Sequence, residues 1–313
     1  MALDPRDILA RMLGASRFHI PVSLIAFSFA MLVASPARAD EAEAHFRQGL
    51  AYKQQGKVDE AIAEFEAAVA KRGNHAMAWA SLGHLYKQKR LYDKAVDAYE
   101  RASTRMQKDP VIWSNLGMAY YRAGRKDDAL RALMRSCRLD PDNAEVRNNI
   151  GTIKRQRGDV AGASVQLKWA VKLAPAEAGY ANNLGVAYRH GKQLDQAERW
   201  FKKAVALDAD VAEYHYNLAG VYRRKEMVDE AIVEYEHAVR LDPKLPEAWY
   251  DLGHMHRLNH DNDAAIAAFQ RYLELTQGKD QGADRRVEEQ IEALGGDAAP
   301  PKGGKQQGHR KQK

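Results

Sequence analysis

Apolar and small residues recur along this chain at i, i+3, i+4 and i+7, the spacing of one face of an amphipathic helix. Trp79, Leu82, Gly83 and Tyr86 make such a face. A short polar or glycine-containing stretch follows, such as Gln54 to Gly56, Ala123 to Arg125 or Arg157 to Asp159, and then a second apolar face begins. Ala61, Phe65 and Ala68 mark that second face, as do Ala95, Tyr99 and Ala102, Ala197, Phe201 and Ala204, and Ala231, Tyr235 and Ala238. The pattern predicts two helices joined by a tight turn.

This unit repeats. SNLGMAYYRAG starts at Ser114, NNIGTIKRQRG at Asn148, NNLGVAYRHGK at Asn182 and YNLAGVYRRKE at Tyr216, each start 34 residues after the last. The same step reaches ASLGHLYKQKR from Ala80, YDLGHMHRLNH from Tyr250 and a weaker FRQGLAYKQQG from Phe46. Seven copies follow without insertion at 42–75, 76–109, 110–143, 144–177, 178–211, 212–245 and 246–279. Each hairpin has an apolar face too small to be buried alone, so stacking must bury it.

With Trp79, Trp113 and Trp249 three places before Leu82, Leu116 and Leu252, and Pro141, Pro175 and Pro243 closing three copies, the pattern resembles the tetratricopeptide repeat. The resemblance implies an all-α fold: a right-handed superhelical solenoid of seven antiparallel helix pairs over 40–279. It also implies that the first helix of each pair lines a concave groove. A capping helix is expected over 280–296, where Val287, Ile291 and Leu294 fall at i, i+4 and i+7. Gly49, Gly83, Gly117, Gly151, Gly185 and Gly253 share one repeat position, with Ala219 in the sixth copy. Glycine inside a helix costs about 1 kcal/mol against alanine, so a partner helix is expected to approach closely there.

Numbering each copy from its first residue, Asn115, Asn149, Asn183 and Asn217 share position six, with Ser81 and Asp251 flanking them. Asparagine has no helix-propensity reason to recur there, and stacking turns one position into a row of side chains. The row is similar to the asparagine ladder of the repeat domain of O-linked N-acetylglucosamine transferase. That similarity implies binding of an extended polypeptide backbone, and a side-chain amide offers the donors and acceptor for it. Position five adds Asn148, Asn182, Tyr216 and Tyr250. Position twelve adds a basic stripe of Lys53, Lys87, Arg155, Arg189, Arg223 and Arg257, interrupted by Tyr121. The stripe either pairs with acidic groups on a ligand or complements the dipole at the end of each first helix.

The first 39 residues carry Arg6, Arg11 and Arg17, then an apolar run from Phe18 to Ala34, then Ala37-Arg38-Ala39. This order predicts a signal peptide cleaved after Ala39 and a periplasmic or secreted protein. The alternative is an uncut inner-membrane anchor, although the run is shorter than the roughly 20 residues that span a bilayer. Of 48 basic and 42 acidic residues, the segments 1–39 and 297–313 hold nine and three, leaving 39 of each between. The basic balance therefore belongs to the ends, and nucleic-acid binding by the neutral array is not expected. The segment 297–313, rich in Pro, Gly, Gln and Lys, is expected to be a disordered basic tail that either solubilises the chain or touches an anionic membrane or glycan.

Cys137 stands where Val69, Val171, Val205 and Val239 stand in other copies and reads as a small core residue. His254, His256 and His260 lie near Asp261 and Asp263, but His256 holds the place of Tyr86, Tyr188 and Tyr222, so no metal is expected. No nucleophile elbow, phosphate loop or zinc-protease motif is present. The expectation is a non-enzymatic scaffold without cofactors, of open oligomeric state, assisting a secretion, pilus or motility, polysaccharide-export or outer-membrane machine. Two alternatives are an envelope tether acting through the tail and an accessory chain presenting substrate to a separate glycosyltransferase.

Overall fold

A computed structural model describes residues 36–276 and 280–297. Of the expected signal peptide over 1–39 only residues 36–39 are described, and of the expected tail over 297–313 only residue 297; the rest of both lies outside the described residues. Fifteen α-helices and no strands occur among the described residues. The described residues form two compact units, divided between residues 107 and 108.

In the first unit α1 (Pro36–Gln54) lies against α2 (Val58–Lys71), and α3 (Ala76–Gln88) against α4 (Tyr92–Ser103). In the second the pairs are α5 (Pro110–Arg122) with α6 (Lys126–Leu139), α7 (Ala144–Gln156) with α8 (Val160–Leu173), and α9 (Ala178–His190) with α10 (Leu194–Leu207). Two more follow, α11 (Ala212–Arg224) with α12 (Val228–Leu241) and α13 (Pro246–Leu258) with α14 (Asn262–Thr276). Within each unit the second helix of one pair packs on the first helix of the next, which makes an all-α solenoid. The last helix, α15 (Gln281–Ala293), lays Val287 and Ile291, both fully buried, over Ala265 and Phe269 of α14.

The helical glycines show why the pairs sit so close. A Cβ at Gly49 would lie 2.6 Å from the ring of Phe65, at Gly83 2.9 Å from Tyr99, at Gly185 2.7 Å from Phe201, and at Gly253 2.6 Å from Phe269. At Gly117 and Gly151 it would lie 2.6 Å from Cγ of Leu133 and Leu167. Each clash is with the large residue sixteen positions ahead, on the second helix of the same pair. In the sixth copy Ala219 and Tyr235, both fully buried, occupy these two places.

The turn within each pair is equally regular. Gly56, Arg90, Gly124, Gly158, Lys192, Glu226 and His260 share position fifteen, and all have φ between 58° and 85°. The next amide reaches back five residues, as in Lys57 N to Tyr52 O and Asp261 N to His256 O, while position fifteen itself bonds three residues back. This double closure with one left-handed residue is a Schellman ending, in which glycine pays no steric penalty.

Between pairs, the residue at position four donates to a carbonyl six residues upstream. Trp79 Nε1 bonds Gly73 O at 2.7 Å, Arg147 Nε bonds Pro141 O at 2.8 Å, His215 Nε2 bonds Ala209 O at 3.0 Å and Trp249 Nε1 bonds Pro243 O at 3.1 Å. One repeat boundary departs from the rest: α4 stops at Ser103, while α5 starts only at Pro110. There the Ser103 and Thr104 hydroxyls donate to Glu100 O and Arg101 O, competing with the helix ladder. The division between the two units falls in this stretch.

Two substitutions in α9 separate close approach from propensity. Gly179 would place a Cβ no nearer than 3.6 Å to any atom, so Gly179→Ala is expected to hold or raise stability by up to ~1 kcal/mol. Gly185→Leu is expected to lose ~2–3 kcal/mol through overpacking against Phe201. Urea unfolding followed by circular dichroism checks both, and equal midpoints would show that the contact does not set the helix spacing.

Candidate interaction face of the first helices

The polar residues of the first helices in the second unit meet across neighbouring pairs. Position five of one copy faces position six of the next: Asn183 Nδ2 donates to Asn148 Oδ1 at 2.9 Å, and Asn217 Nδ2 donates to Asn182 Oδ1 at 3.0 Å. In the following pair Tyr216 donates its hydroxyl to Asp251 Oδ2 at 3.2 Å. The sequence separation is 35 residues each time, one more than the repeat.

Toward the C-terminal copies this network closes on itself. Asn217 and Asn182 are buried; Arg189 Nη1 donates to Asn217 Oδ1 at 3.0 Å, and Asn182 Nδ2 donates to Glu213 Oε1 at 3.2 Å. Asp251, also buried, accepts from Tyr235 at 3.3 Å and pairs with Arg223 Nη1 at 3.2 Å. Burial, reinforced by Asp251, pushes the Tyr216 hydroxyl up to about 12. Tyr250 packs its ring against His254 and Tyr272 over the terminal core.

Nearer the middle the face is more open. Asn148, Asn149 and Asn183 are half-buried. Asn148 and Asn183 share one bond, and the Asn149 side chain makes none among the described residues. Asn115 is half-buried in α5, while Arg257 is exposed and stands 3.4 Å from His254 Nδ1. The side chains chosen from single repeat positions are thus brought onto one face, and several bind one another. Sequence reasoning missed the contacts of Gln156 and His190 because their partners lie one residue off the repeat, and those of Glu213 and Tyr235 because theirs lie on another helix.

A model of the tetratricopeptide-repeat C-terminal domain of cilia and flagella-associated protein 70 matches residues 25–245, and a tetratricopeptide repeat model matches 216–280. The chain belongs to the tetratricopeptide repeat family. Among solved structures it is similar to the C-terminal part of a repeat protein from Cytophaga hutchinsonii, with TM-score 0.61, 19% identity, and 76% of this chain and 98% of that one covered. It is also similar to PilF of Pseudomonas aeruginosa, with TM-score 0.54, 19% identity and 66% and 94% coverage. YrrB, described as a repeat protein with an unusual peptide-binding site, gives TM-score 0.51, 20% identity and 61% and 94% coverage. At these identities the structures share the fold. A search of the curated proteins finds no match.

Tetratricopeptide repeat proteins bind protein or peptide partners, and this chain is a protein-interaction scaffold of the family. Among the described residues no group of three His, Cys, Asp or Glu side chains is placed to hold a metal, and His256 is buried in the position of the packing tyrosines. Cys137 is half-buried against the cluster of Ala129, Leu133 and Ile150.

Several histidines of this repeat protein hold a proton less tightly than a free imidazole. Burial lowers His190, with Arg155, Arg189 and Arg224 adding to it, and burial followed by Arg257 lowers His254. Burial likewise lowers His75, with Arg72, and His84, with Lys53 and Lys87.

Two outcomes follow from these contacts. Asn182→Ala and Asn217→Ala are each expected to cost about 1–3 kcal/mol, because each leaves a buried partner unsatisfied. The double variant should cost less than their sum, with a coupling of roughly 0.5–1.5 kcal/mol in a double-mutant cycle. Additive losses would mean that the amides are not bonded to each other. The histidines give a pH dependence: a base lowered in the folded chain takes its proton preferentially in the unfolded one. Their contribution is complete above pH 6.5 and declines as the pH falls through 6.5 toward the lower folded values. Melting curves from pH 7.5 to 5.5 should show this fall, and a His190→Gln/His254→Gln variant should show less of it.

Proposed function

We propose that this protein is a non-catalytic scaffold, exported to the bacterial envelope, that holds an extended polypeptide segment of a partner along the first helices of the second unit. The observation that carries the reading is the half-buried amide group of Asn148, Asn149 and Asn183, which retains unused donors and acceptors on the face where Arg155 and Arg189 stand. Such amides can bracket peptide units without reading side chains. At about 1 kcal/mol net per hydrogen bond they fall short of the roughly 8 kcal/mol of a micromolar complex, so charged neighbours must contribute. Export is supported by the basic, apolar and small-residue order of residues 1–39. The partner would belong to an envelope assembly.

The test is in-cell crosslinking and affinity capture from fractionated cells, comparing the wild type with Asn149→Trp/Thr152→Trp, Thr152 being half-buried in α7 three residues after Asn149. These substitutions fill the open part of the face without touching the Asn183–Asn148 or Asn217–Asn182 bonds. A partner captured from the periplasmic fraction by the wild type and lost from the variant, with a mature chain beginning at Asp40, is the expected result. Recovery of the protein only in the cytoplasm overturns the export reading. Equal capture by both proteins moves the interaction to another surface.

A further inference from the structure

The protein pairs several of the cations near its helix ends with carboxylates. Lys89 pairs with Asp59, Lys154 with Asp159, Arg157 with Asp127, Arg223 with Asp251, and Lys225 with both Asp195 and Glu198. Among those left without one, a single set gathers on three successive first helices. Arg155 in the last turn of α7, Arg189 and His190 at the end of α9, and Arg224 at the end of α11 have no carboxylate within ion-pair distance among the described residues.

Their mutual placement is close. Arg155 Nη1 stands 3.4 Å from His190 Nε2. Arg189 lies over the Phe201 ring at 5.7 Å, with Nη1 fixed by Asn217 Oδ1. Arg224 bears on both Arg189 and His190. Burial lowers the guanidinium affinity for protons at Arg155 and Arg189, and Arg224 adds to it at Arg189. The group is also bounded. Toward the N-terminus the corresponding side chains form a neutral bond, Gln156 Nε2 to Tyr121 Oη at 2.8 Å, and toward the C-terminus Arg223 is neutralised by Asp251.

We infer that the ends of α7, α9 and α11 form a docking site for an acidic polypeptide segment, its carboxylates held by Arg155, Arg189 and Arg224 around His190. This rests on the peptide-scaffold reading and gives the ligand its chemistry. Guanidinium forks match carboxylates bidentately. Partial burial of Arg155 and Arg189 protects their pairs from the screening that weakens exposed ones. The amides of Asn148, Asn149 and Asn183 lie on the same helices, so a chain with carboxylates over the arginines would run its backbone past side chains suited to peptide groups. The group carries no exposed aromatic platform on which bases would stack, which favours a polypeptide over a single-stranded nucleic acid.

The probes are a fluorescein-labelled hexaglutamate, a matching hexaglutamine and a short single-stranded oligonucleotide, titrated against the full chain by fluorescence anisotropy. Hexaglutamate should bind, hexaglutamine should not, and binding should weaken with added salt. Arg155→Gln/Arg224→Gln spares the contacts of Arg189 with Asn217 and Phe201 and should weaken hexaglutamate binding ~10-fold or more at unchanged helicity, which corresponds to losing at least about 1.4 kcal/mol. Arg155→Lys/Arg224→Lys should restore part of it. No binding of hexaglutamate, or equal binding by the glutamine variant, overturns the inference. Equal or tighter binding of the oligonucleotide overturns the assignment to polypeptide. If the glutamine variant still captures the crosslinked partner at wild-type level, the acidic-ligand inference fails while the scaffold reading stands. If no partner is captured by any version, the scaffold reading fails, and the peptide titration still judges the site.

Discussion

The contact between a helical glycine and the large side chain sixteen residues ahead sets the geometry of each pair. It is a steric constraint: with a Cβ at Gly49, Gly185 or Gly253, the opposing ring would be overlapped at 2.6–2.7 Å. Dispersion gains depend on atoms meeting at contact distance, so bringing the backbone of the first helix onto that ring recovers what the glycine loses in propensity. Phe65, Phe201 and Phe269 are consequently completely buried. Around each fixed pair, small residues such as Ala61, Ala68, Ala197 and Ala204 fill the remaining space, and the next pair can seat on it.

A second constraint fixes where the first helix ends. Position fifteen must be left-handed in every copy, whether it is Gly124 or Glu226. The sequence spends glycine on only some of these turns, and the others accept strain of about 1–2 kcal/mol per non-glycine residue, held by the two back-bonds of the Schellman closure. Because the turn is invariant, position twelve always falls in the last helical turn. The basic stripe is then placed by the turn, which lets one position serve the helix dipole in some copies and a polar contact in others. Arg223 reaches Asp251 and Arg189 reaches Asn217 from that place.

The fold was legible because every structural constraint within a hairpin recurs at a fixed position. The glycine row, the aromatic row and the turn all show in a register of 34 residues, and the helix pairs lie where periodicity put them. Two features were hidden for definite reasons. The position-four donor is tryptophan, arginine or histidine in different copies, chemically one N–H to one carbonyl but no single residue type. The division after residue 107 lies in an unbroken register, and only the Ser103 and Thr104 hydroxyls hint that the helix stops early. The face residues were legible as residues but not as contacts. Reading position six as a row treats its members as parallel and unpaired, whereas stacked helices bring position six against position five of the preceding copy, a separation of 35.

That offset changes what an asparagine row does. An amide donating to the next copy holds two repeats in register, which matters in a quasi-one-dimensional structure whose cohesion is a sum of nearest-neighbour terms. The same amide is then less available to a ligand. The two demands are divided along the second unit. From Asn182 to Asp251 the amides and the carboxylate are buried and their capacity is taken up by Asn217, Glu213, Arg189, Arg223 and the two tyrosines. Around Asn148, Asn149 and Asn183 one bond holds the register and the remaining polar capacity stays at the surface. The arginines without carboxylates, Arg155, Arg189 and Arg224, lie where these two regimes meet. At that junction the scaffold is held rigid from one side and offers unsatisfied donors on the other, the combination that lets a surface bind without first paying to order itself.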